Sequence, residues 1–593
     1  MAMVLLSLIP QINLWVIRGR DWNGAYATLQ GDEFLYSAYV NALIDGRPRR
    51  TDPFAGQDST PQLPLPESSF STQFLPAYAL ALPARGFGIS ASTIFIILMG
   101  LAGLLSSLSL YWLLGLVTGD KKVAAFGVVL VLCCGALAGG QGIVGVLFGQ
   151  QRSAFVPFLR RYQPAVVFPL FFVFCALVWK MLVVDRKRLA LLCSALAGLT
   201  FAVLVFSYLY LWTAALAWFV SFALFWIFLR PRTERWSSVM VLSLTTVIAV
   251  FSFIPYAVLV SHRSASLAEA QILVRTHQID PFHIPEMIGA ILLAAIIVAI
   301  RLGRIKRREP RVIFALSLAV LPLVLFNQQI LTGRSIQPVH FDYYAANYAV
   351  LISLAIVMAL LWQPIPNRAL VWIAALCFSW GILEVGLLVS ARTAPDAADD
   401  QTIPVLMRLK ELAKVDGTLI GLRSRGNASV LVFSPRVDVM RILPTWSSQR
   451  TLLAAGAQDF GTATRKERQE LLYEQLYFSE VDGARFREFL NHKTDDTYMN
   501  FYAPSVMFGD DRFLSIFSLH SRPIQQDEIE EAVRDYQAYV DSFSREKALH
   551  HPITYLVTSV KSESNLSHID RWYQRDAGER LGDYNLFRIK MRS

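Results

Sequence analysis

Ala91-Ser92-Thr93-Ile94-Phe95-Ile96-Ile97-Leu98-Met99-Gly100-Leu101-Ala102-Gly103-Leu104-Leu105 opens a run that reaches Val117 without one charged side chain. Roughly 20 apolar residues in a helix span the hydrocarbon core of a bilayer, so this run reads as a membrane crossing. Working outward, comparable runs lie near 1–17, 123–140, 165–184, 189–207, 209–229, 237–260, 285–301, 311–328, 344–362 and 369–390. The stretch 189–229 is too long for one crossing, and Ser207-Tyr208 marks a tight turn that divides it. Together these predict about eleven transmembrane helices. Composition agrees: 54% of the chain is hydrophobic and 17% charged, against about 25% charged in soluble domains. At 593 residues the chain is too long for one soluble core, so two domains are expected.

The net charge of +10 does not point to nucleic acid. Many of the basic residues cluster between apolar runs, as in cytoplasmic loops, and no basic aromatic platform accompanies them. With the N-terminus inside, the cytoplasmic loops hold Lys121-Lys122, Arg186-Lys187-Arg188, Arg230, Arg232, Arg235, the group from Arg301 to Arg311, and Arg368. The short outer loops hold fewer: Arg152, Arg160, Arg161, Arg263, Arg275 and Arg334. This orientation makes a multi-pass inner-membrane protein with residues 391–593 outside the cytoplasm. Residues 1–17 lack a basic leader and a small-residue cleavage site, so they read as a first helix rather than a cleaved signal. Cys133, Cys134, Cys175, Cys193 and Cys377 all lie inside apolar runs, which leaves no disulfide framework and no CxxC metal site.

The chain turns polar after Ala394-Pro395-Asp396. Residues 1–390 are therefore expected to form the membrane domain and 391–593 an extracytoplasmic α/β domain. Within the latter, 403–414, 464–477 and 526–547 read as helices, and 417–422, 553–558 and 583–590 as strands. Asn427-Ala428-Ser429 and Asn565-Leu566-Ser567 match the glycosylation pattern, which is without meaning in a bacterial host.

The longest outer loop, 18–90, carries Gly31-Asp32-Glu33-Phe34-Leu35-Tyr36. From Glu33 the pattern is helical. Glu33, Ser37, Asn41 and Asp45 form a polar ridge, and Leu35, Tyr39 and Leu43 an apolar one, before Gly46 ends the helix. Such a helix suits the membrane interface. Asp32 stands where a carboxylate caps a helix, and capping alone accounts for an isolated acidic residue there.

The wider pattern says more. Gly31-Asp32-Glu33-Phe34-Leu35-Tyr36 is followed by Leu43-Ile44-Asp45-Gly46-Arg47-Pro48, by Ser71-Thr72-Gln73-Phe74-Leu75-Pro76-Ala77-Tyr78 and by Gly86-Phe87-Gly88-Ile89-Ser90. In this the membrane half resembles the GT-C superfamily of integral membrane glycosyltransferases, which includes protein O-mannosyltransferases, aminoarabinose transferases of lipid A and family-39-like bacterial enzymes. The resemblance implies transfer of a sugar from a polyprenyl-phosphate or polyprenyl-diphosphate donor to a lipid, glycan or protein acceptor on the outer face. It implies that Asp32 acts as general base or as an acceptor-site metal ligand, with Glu33 as its partner or replacement. A second acid among Asp45, Asp52 and Asp58 would hold a divalent cation. The chemistry suits the residue types: an acceptor hydroxyl must lose a proton, and a lipid-phosphate leaving group wants cations rather than a strong acid.

The remaining outer loops supply such cations. Arg160-Arg161-Tyr162 sits at a helix entry. Asn327-Gln328-Gln329 leads to Arg334, Gln337 and His340, a cluster dense in donors that can hold a phosphate or sugar. Arg152 is better read as a solvated loop residue. The segment 261–284, with His262, Arg263, Arg275, His277 and Asp280, could order on donor binding, and its histidines are too far apart to signal zinc. Two other functions compete: a lipid-linked sugar transporter or flippase, which would show paired repeats and broken helices at the midplane, and a non-catalytic scaffold that binds a glycan or partner.

Overall fold

The computed structural model describes residues 1–149, 156–264, 267, 273–362, 366–415, 430–454, 463–494, 496–509, 523–561 and 565–593. Each of the apolar runs contains a helix. In chain order the membrane half comprises α1 (Ala2–Arg18), α2 (Glu33–Ile44), the ribbon β1 (Thr51–Asp52) and β2 (Gln57–Asp58), α3 (Leu75–Phe87), α4 (Ala91–Thr118), α5 (Lys121–Cys133), α6 (Phe168–Val183), α7 (Lys187–Val205), α8 (Leu209–Leu229) and α9 (Arg232–Ser261). It continues with β3 (Leu273–Arg275), α10 (Ile284–Arg301), α11 (Pro310–Asn327), β4 (Arg334–Ile336), α12 (Pro338–Tyr344), α13 (Ala346–Leu361) and α14 (Asn367–Val415). Among the described residues, nine helices are long and apolar enough to cross a membrane, and α6 is a shorter apolar helix. The chain is thus a multi-pass helical membrane protein.

The run 123–140 is not one uninterrupted helix. α5 ends at Cys133, a single helical turn follows over Gly135–Ala138, and the chain then bends at Gly139, Gly140 and Gly142, the last two at φ +68° and +62°. A side chain at Gly142 would collide with the Glu384 carboxylate, whose oxygens accept from the Ile143 amide. The expected break at Ser207-Tyr208 is present: α7 stops at Val205 and α8 starts at Leu209. Gln163 Nε2 donates to the Ser207 carbonyl at 2.8 Å and the Leu209 amide to Gln73 Oε1 at 3.1 Å, so two loops staple this turn.

The two ends of the bundle keep separate company. Lys122 Nζ donates to Asn367 Oδ1 at 3.0 Å, and Arg230 Nη1 to the Arg308 carbonyl at 2.8 Å. The basic loops meet one another at one end. At the other end meet the 18–90 loop, residues 156–164 and the turn at 207–208.

α14 is 49 residues long and runs without interruption through Pro395 and Pro404, carrying the chain from the apolar half into the polar half. Residues 403–414, expected as a separate amphipathic helix, are its last turns. Beyond it come β5 (Leu431–Phe433), α15 (Val437–Trp446), β6 (Arg450–Thr451), α16 (Arg465–Phe478), α17 (Gly483–Leu490), α18 (Thr497–Phe508), α19 (Gln526–Asp541), β7 (Ile553–Ser559), β8 (Tyr573–Arg575), β9 (Glu579–Leu581) and β10 (Tyr584–Met591). The strands form one sheet in the order β6-β5-β7-β10-β8, with β9 on β10. β5 is parallel to β6 and β7, while β7 and β10 are antiparallel. β7 is buried at nearly every position, as a central strand requires. The strands expected at 553–558 and 583–590 are β7 and β10. The expected strand 417–422 and Asn427-Ala428-Ser429 lie outside the described residues.

Candidate functional site

α2 is buried from Glu33 to Leu43. Its polar ridge is packed rather than left to water. The ridge faces α15: the Ser37 and Thr445 hydroxyls are 2.7 Å apart, and Asn41 Nδ2 donates to the Pro444 carbonyl at 3.2 Å. Buried polar groups must find partners, and here they find them in the C-terminal region.

At the start of α2 the two acids part company. Asp32 makes no side-chain cap. Its carboxylate, 47% exposed, takes a 2.6 Å contact from Arg160 Nη2, whose own side chain is 3% exposed. Glu33 is enclosed: its Oε1 accepts from the Leu29 and Gln30 amides at 2.7 and 3.2 Å, and its Oε2 lies 3.0 Å from Arg161 Nε. Burial pushes the Glu33 carboxyl up, while Arg161 and those amides pull it back. Arg161 is itself enclosed. It donates to the Ala27 carbonyl and stacks over Tyr26, so it braces Glu33 and offers no face to a ligand.

Arg160 organises the reachable side. Its guanidinium donates to Tyr344 Oη at 2.6 Å and Tyr36 Oη at 3.1 Å and lies over both rings. Burial opposes its charge, but Tyr344, Tyr36 and Asp32 hold it protonated. The cluster continues outward. Tyr208 packs on Tyr344, His340 stacks on Tyr210 at 4.1 Å, and Tyr210 Oη donates to Gln337 Oε1 at 2.5 Å. Asp32, Arg160, Gln337 and His340 therefore converge, although they come from distant segments. Arg334 does not join them. It sits exposed on β4, which pairs with β3 as a two-stranded ribbon.

The other acids do not converge on Asp32. Asp45 closes the far end of α2, about 18 Å along its axis, beside Arg47, Lys410 and Lys414; burial pushes its carboxyl up and those cations oppose the shift. Asp52 Oδ1 accepts from the Phe54 and Ala55 amides, and Asp58 accepts from Arg47 Nε and Thr51 Oγ1. Asp52 and Asp58 are spent on the β1–β2 ribbon. Among the described residues, no three His, Cys, Asp or Glu side chains are grouped to hold a metal ion. Among the described residues, Asp45, Asp52 and Asp58 do not join Asp32 in a ligand set.

A second cationic patch lies nearby. Arg49 grips Glu67 with both terminal nitrogens at 2.7 Å, Arg50 approaches the same carboxylate at 4.0 Å, and Arg263 pairs in backbone with Glu67 and donates to Thr72 at 2.6 Å. Two guanidiniums thus contact one carboxylate, and a third is fixed on Thr72 beside it. The mouth of the bundle also carries His283, held between Asp342 at 3.0 Å and Asp280 at 3.3 Å and stacked on Phe326. Arg152, with Gln150 and Gln151, lies outside the described residues.

The sequence reading missed Tyr208, Tyr210 and Tyr344. Tyr208 was legible only as a turn, and Tyr344 stands one residue past the segment singled out. It also missed Arg441 and Tyr498, which no local signal marks. The Arg441 guanidinium lies 4.6 Å over Phe34 and 4.8 Å over Tyr498.

No family model matches the chain, and no curated protein matches it by sequence. Solved structures do resemble it. The oligosaccharyltransferase of Archaeoglobus fulgidus in complex with Zn and sulfate is 12% identical over 97% of this chain and 71% of that one, with a TM-score of 0.45. The same organism's oligosaccharyltransferase AglB, with an inhibitory peptide and a dolichol-phosphate, is 12% identical over 97% and 72%, at 0.42. ArnT from Cupriavidus metallidurans bound to undecaprenyl phosphate is 13% identical over 98% and 97%, at 0.40.

Proposed function

We propose that the chain moves a sugar from a polyprenyl-phosphate-linked donor to a lipid, glycan or protein acceptor at the outer face of the membrane. The observation that carries this reading is the contrast at residues 32 and 33. A half-exposed carboxylate is held by a buried arginine, beside a second carboxylate that is wholly enclosed.

An acceptor hydroxyl docked at Asp32 loses its proton to the free carboxylate oxygen as its own oxygen attacks the anomeric carbon. The bond from that carbon to the phosphate oxygen breaks, and the lipid phosphate leaves with the electron pair. Arg160 aims the Asp32 carboxylate through its 2.6 Å contact. Arg49, Arg50 and Arg263 supply more positive charge than Glu67 cancels, which suits a departing phosphate. Gln337 and His340 line the approach with hydrogen-bonding groups for the sugar. Residues 391–593 form the extracytoplasmic region that roofs the site.

The test is transfer by purified protein given polyprenyl-phosphate sugars and lipid, glycan or peptide acceptors. Asp32→Asn is expected to slow transfer by about 10²–10⁴-fold, with thermal unfolding measured beside it because the change also removes the carboxylate facing the buried Arg160. Transfer unaffected by that change removes Asp32 from the mechanism. Absence of transfer from every donor favours the scaffold, and donor crossing without transfer favours the flippase.

A further inference from the structure

Asp32 is held directly from one side and flanked on the other. Arg160 grips the carboxylate from the membrane bundle. Behind the backbone, from the C-terminal region, stands Arg441 of α15, itself only 7% exposed. Its guanidinium is sandwiched between Phe34 on α2 and Tyr498 on α18, and lies 3.9 Å from Asp399 on α14. It also fills the space beside Gly31: a methyl group there would come within 3.0 Å of Nη1. The same face of α15 is fastened further along α2 through Thr445 and Pro444. Tyr498 is near enough to Asp32 for the carboxylate charge to act on its phenol.

We propose that Arg441 is a positioning residue for Asp32: it fixes the backbone of Gly31–Phe34 by a double stack and so couples the placement of the reactive carboxylate to the C-terminal region. This rests on the function proposed above. The physical case is geometric. Asp32 makes no side-chain cap; local hydrogen bonds tie Glu33 back to the Leu29 and Gln30 amides but none is made by the Asp32 carboxylate itself to the helix start. Arg160 holds one oxygen; the direction of the Cα–Cβ bond is left to what packs against residues 31 and 34. A flat guanidinium between two rings supplies a rigid stop that a lysine, a flexible stem with a compact head, does not reproduce. A displacement of about 1 Å at a reacting group costs on the order of 10²-fold in rate.

The experiment compares wild type, Arg441→Met, Arg441→Lys and Asp32→Asn with the Arg441→Met/Asp32→Asn double variant, in the full-length detergent-solubilised protein. It measures steady-state transfer and amide hydrogen exchange of α2. Arg441→Met and Arg441→Lys are both expected to lower kcat by about 10–100-fold with donor KM unchanged, and to speed exchange in α2. In the Asp32→Asn background the Arg441 change is expected to cost nothing further, because its effect runs through that carboxylate. Unchanged kcat, full rescue by lysine, a loss that adds to that of Asp32→Asn, or wild-type exchange in α2 would each overturn the proposal. Should Arg441→Met not fold, Gly31→Ala perturbs the same contact from the other side and carries the same expectations. Absence of transfer by the wild type with any donor overturns the proposed function instead, and exchange in α2 then still decides whether Arg441 braces the helix.

Discussion

Two neighbouring pairs, Asp32-Glu33 and Arg160-Arg161, show what one residue's position along the chain changes. Successive residues at the start of a helix point about 100° apart, so one acid faces the mouth and the other the core. Each meets the matching arginine, Asp32 with Arg160 and Glu33 with Arg161. The enclosed pair is structural: removing one partner would strand a buried charge. At the mouth, His283 is the residue whose charge can be read by titration. Burial alone would push it down, but hydrogen bonds to Asp280 and Asp342 lift it from 6.5 to about 10. A histidine with a raised folded-state pKa contributes stability that is full below its unfolded value and lost as pH rises through the folded one. Thermal unfolding in detergent should therefore show wild type losing stability between about pH 6.5 and 10, with the loss blunted in His283→Gln. Parallel curves for the two proteins would remove the charged clamp.

At the scale of elements, α2 shows the limit of periodicity. A four-residue polar repeat identifies a helix with two faces but not what each face meets. Ser37 and Asn41 meet α15 rather than lipid headgroups or water. The helix after Lys121 shows a second limit, because hydropathy does not see that glycines at 140 and 142, both at positive φ, break the helix inside an apolar run. Close approach also depends on glycine. At Gly289 on α10 a Cβ would lie 2.4 Å from the Ala319 carbonyl oxygen of α11, backbone that cannot swing aside. Small residues at such crossings let helices pack in a bilayer. Gly289→Leu is expected to destabilise by about 1–3 kcal/mol or more through overpacking, read as a lowered Tm. Gly86→Leu on α3 is the control, since nothing lies within 4 Å of its Cβ position. Equal Tm values for the two variants would refute the close-packing argument.

The whole molecule is organised by α14, which carries the chain out of the bundle, and by the return of the C-terminal region onto α2. Residues near its middle anchor the first loop: Asp400 takes Arg18 at 2.7 Å and the Asn23 and Ala25 amides, and Asp396 takes Thr28. The C-terminal region therefore sits at the Asp32 end of the bundle, opposite the basic loops. A phosphatase fused after Ser593 is expected to be active outside the cytoplasm, and a reporter in the Arg301–Arg311 loop to be cytoplasmic; the reverse pattern would invert the topology. The apolar runs, the basic loops between them, the turn at Ser207-Tyr208, strands β7 and β10 and the acidic motif after the first helix were legible in the sequence. Each is a local property, set by the length of an uncharged run, the sign of a short loop or a pattern a few residues long. Only the tertiary structure decided that Asp32 rather than Glu33 is reachable, that Arg160 rather than Arg161 faces the site, that Arg334, Asp45, Asp52 and Asp58 stand away from it, and that Arg441 stands behind it. Those outcomes rest on contacts such as Asp32–Arg160 and Ser37–Thr445, 128 and 408 residues apart in the chain, and no local pattern encodes which distant side chain will arrive.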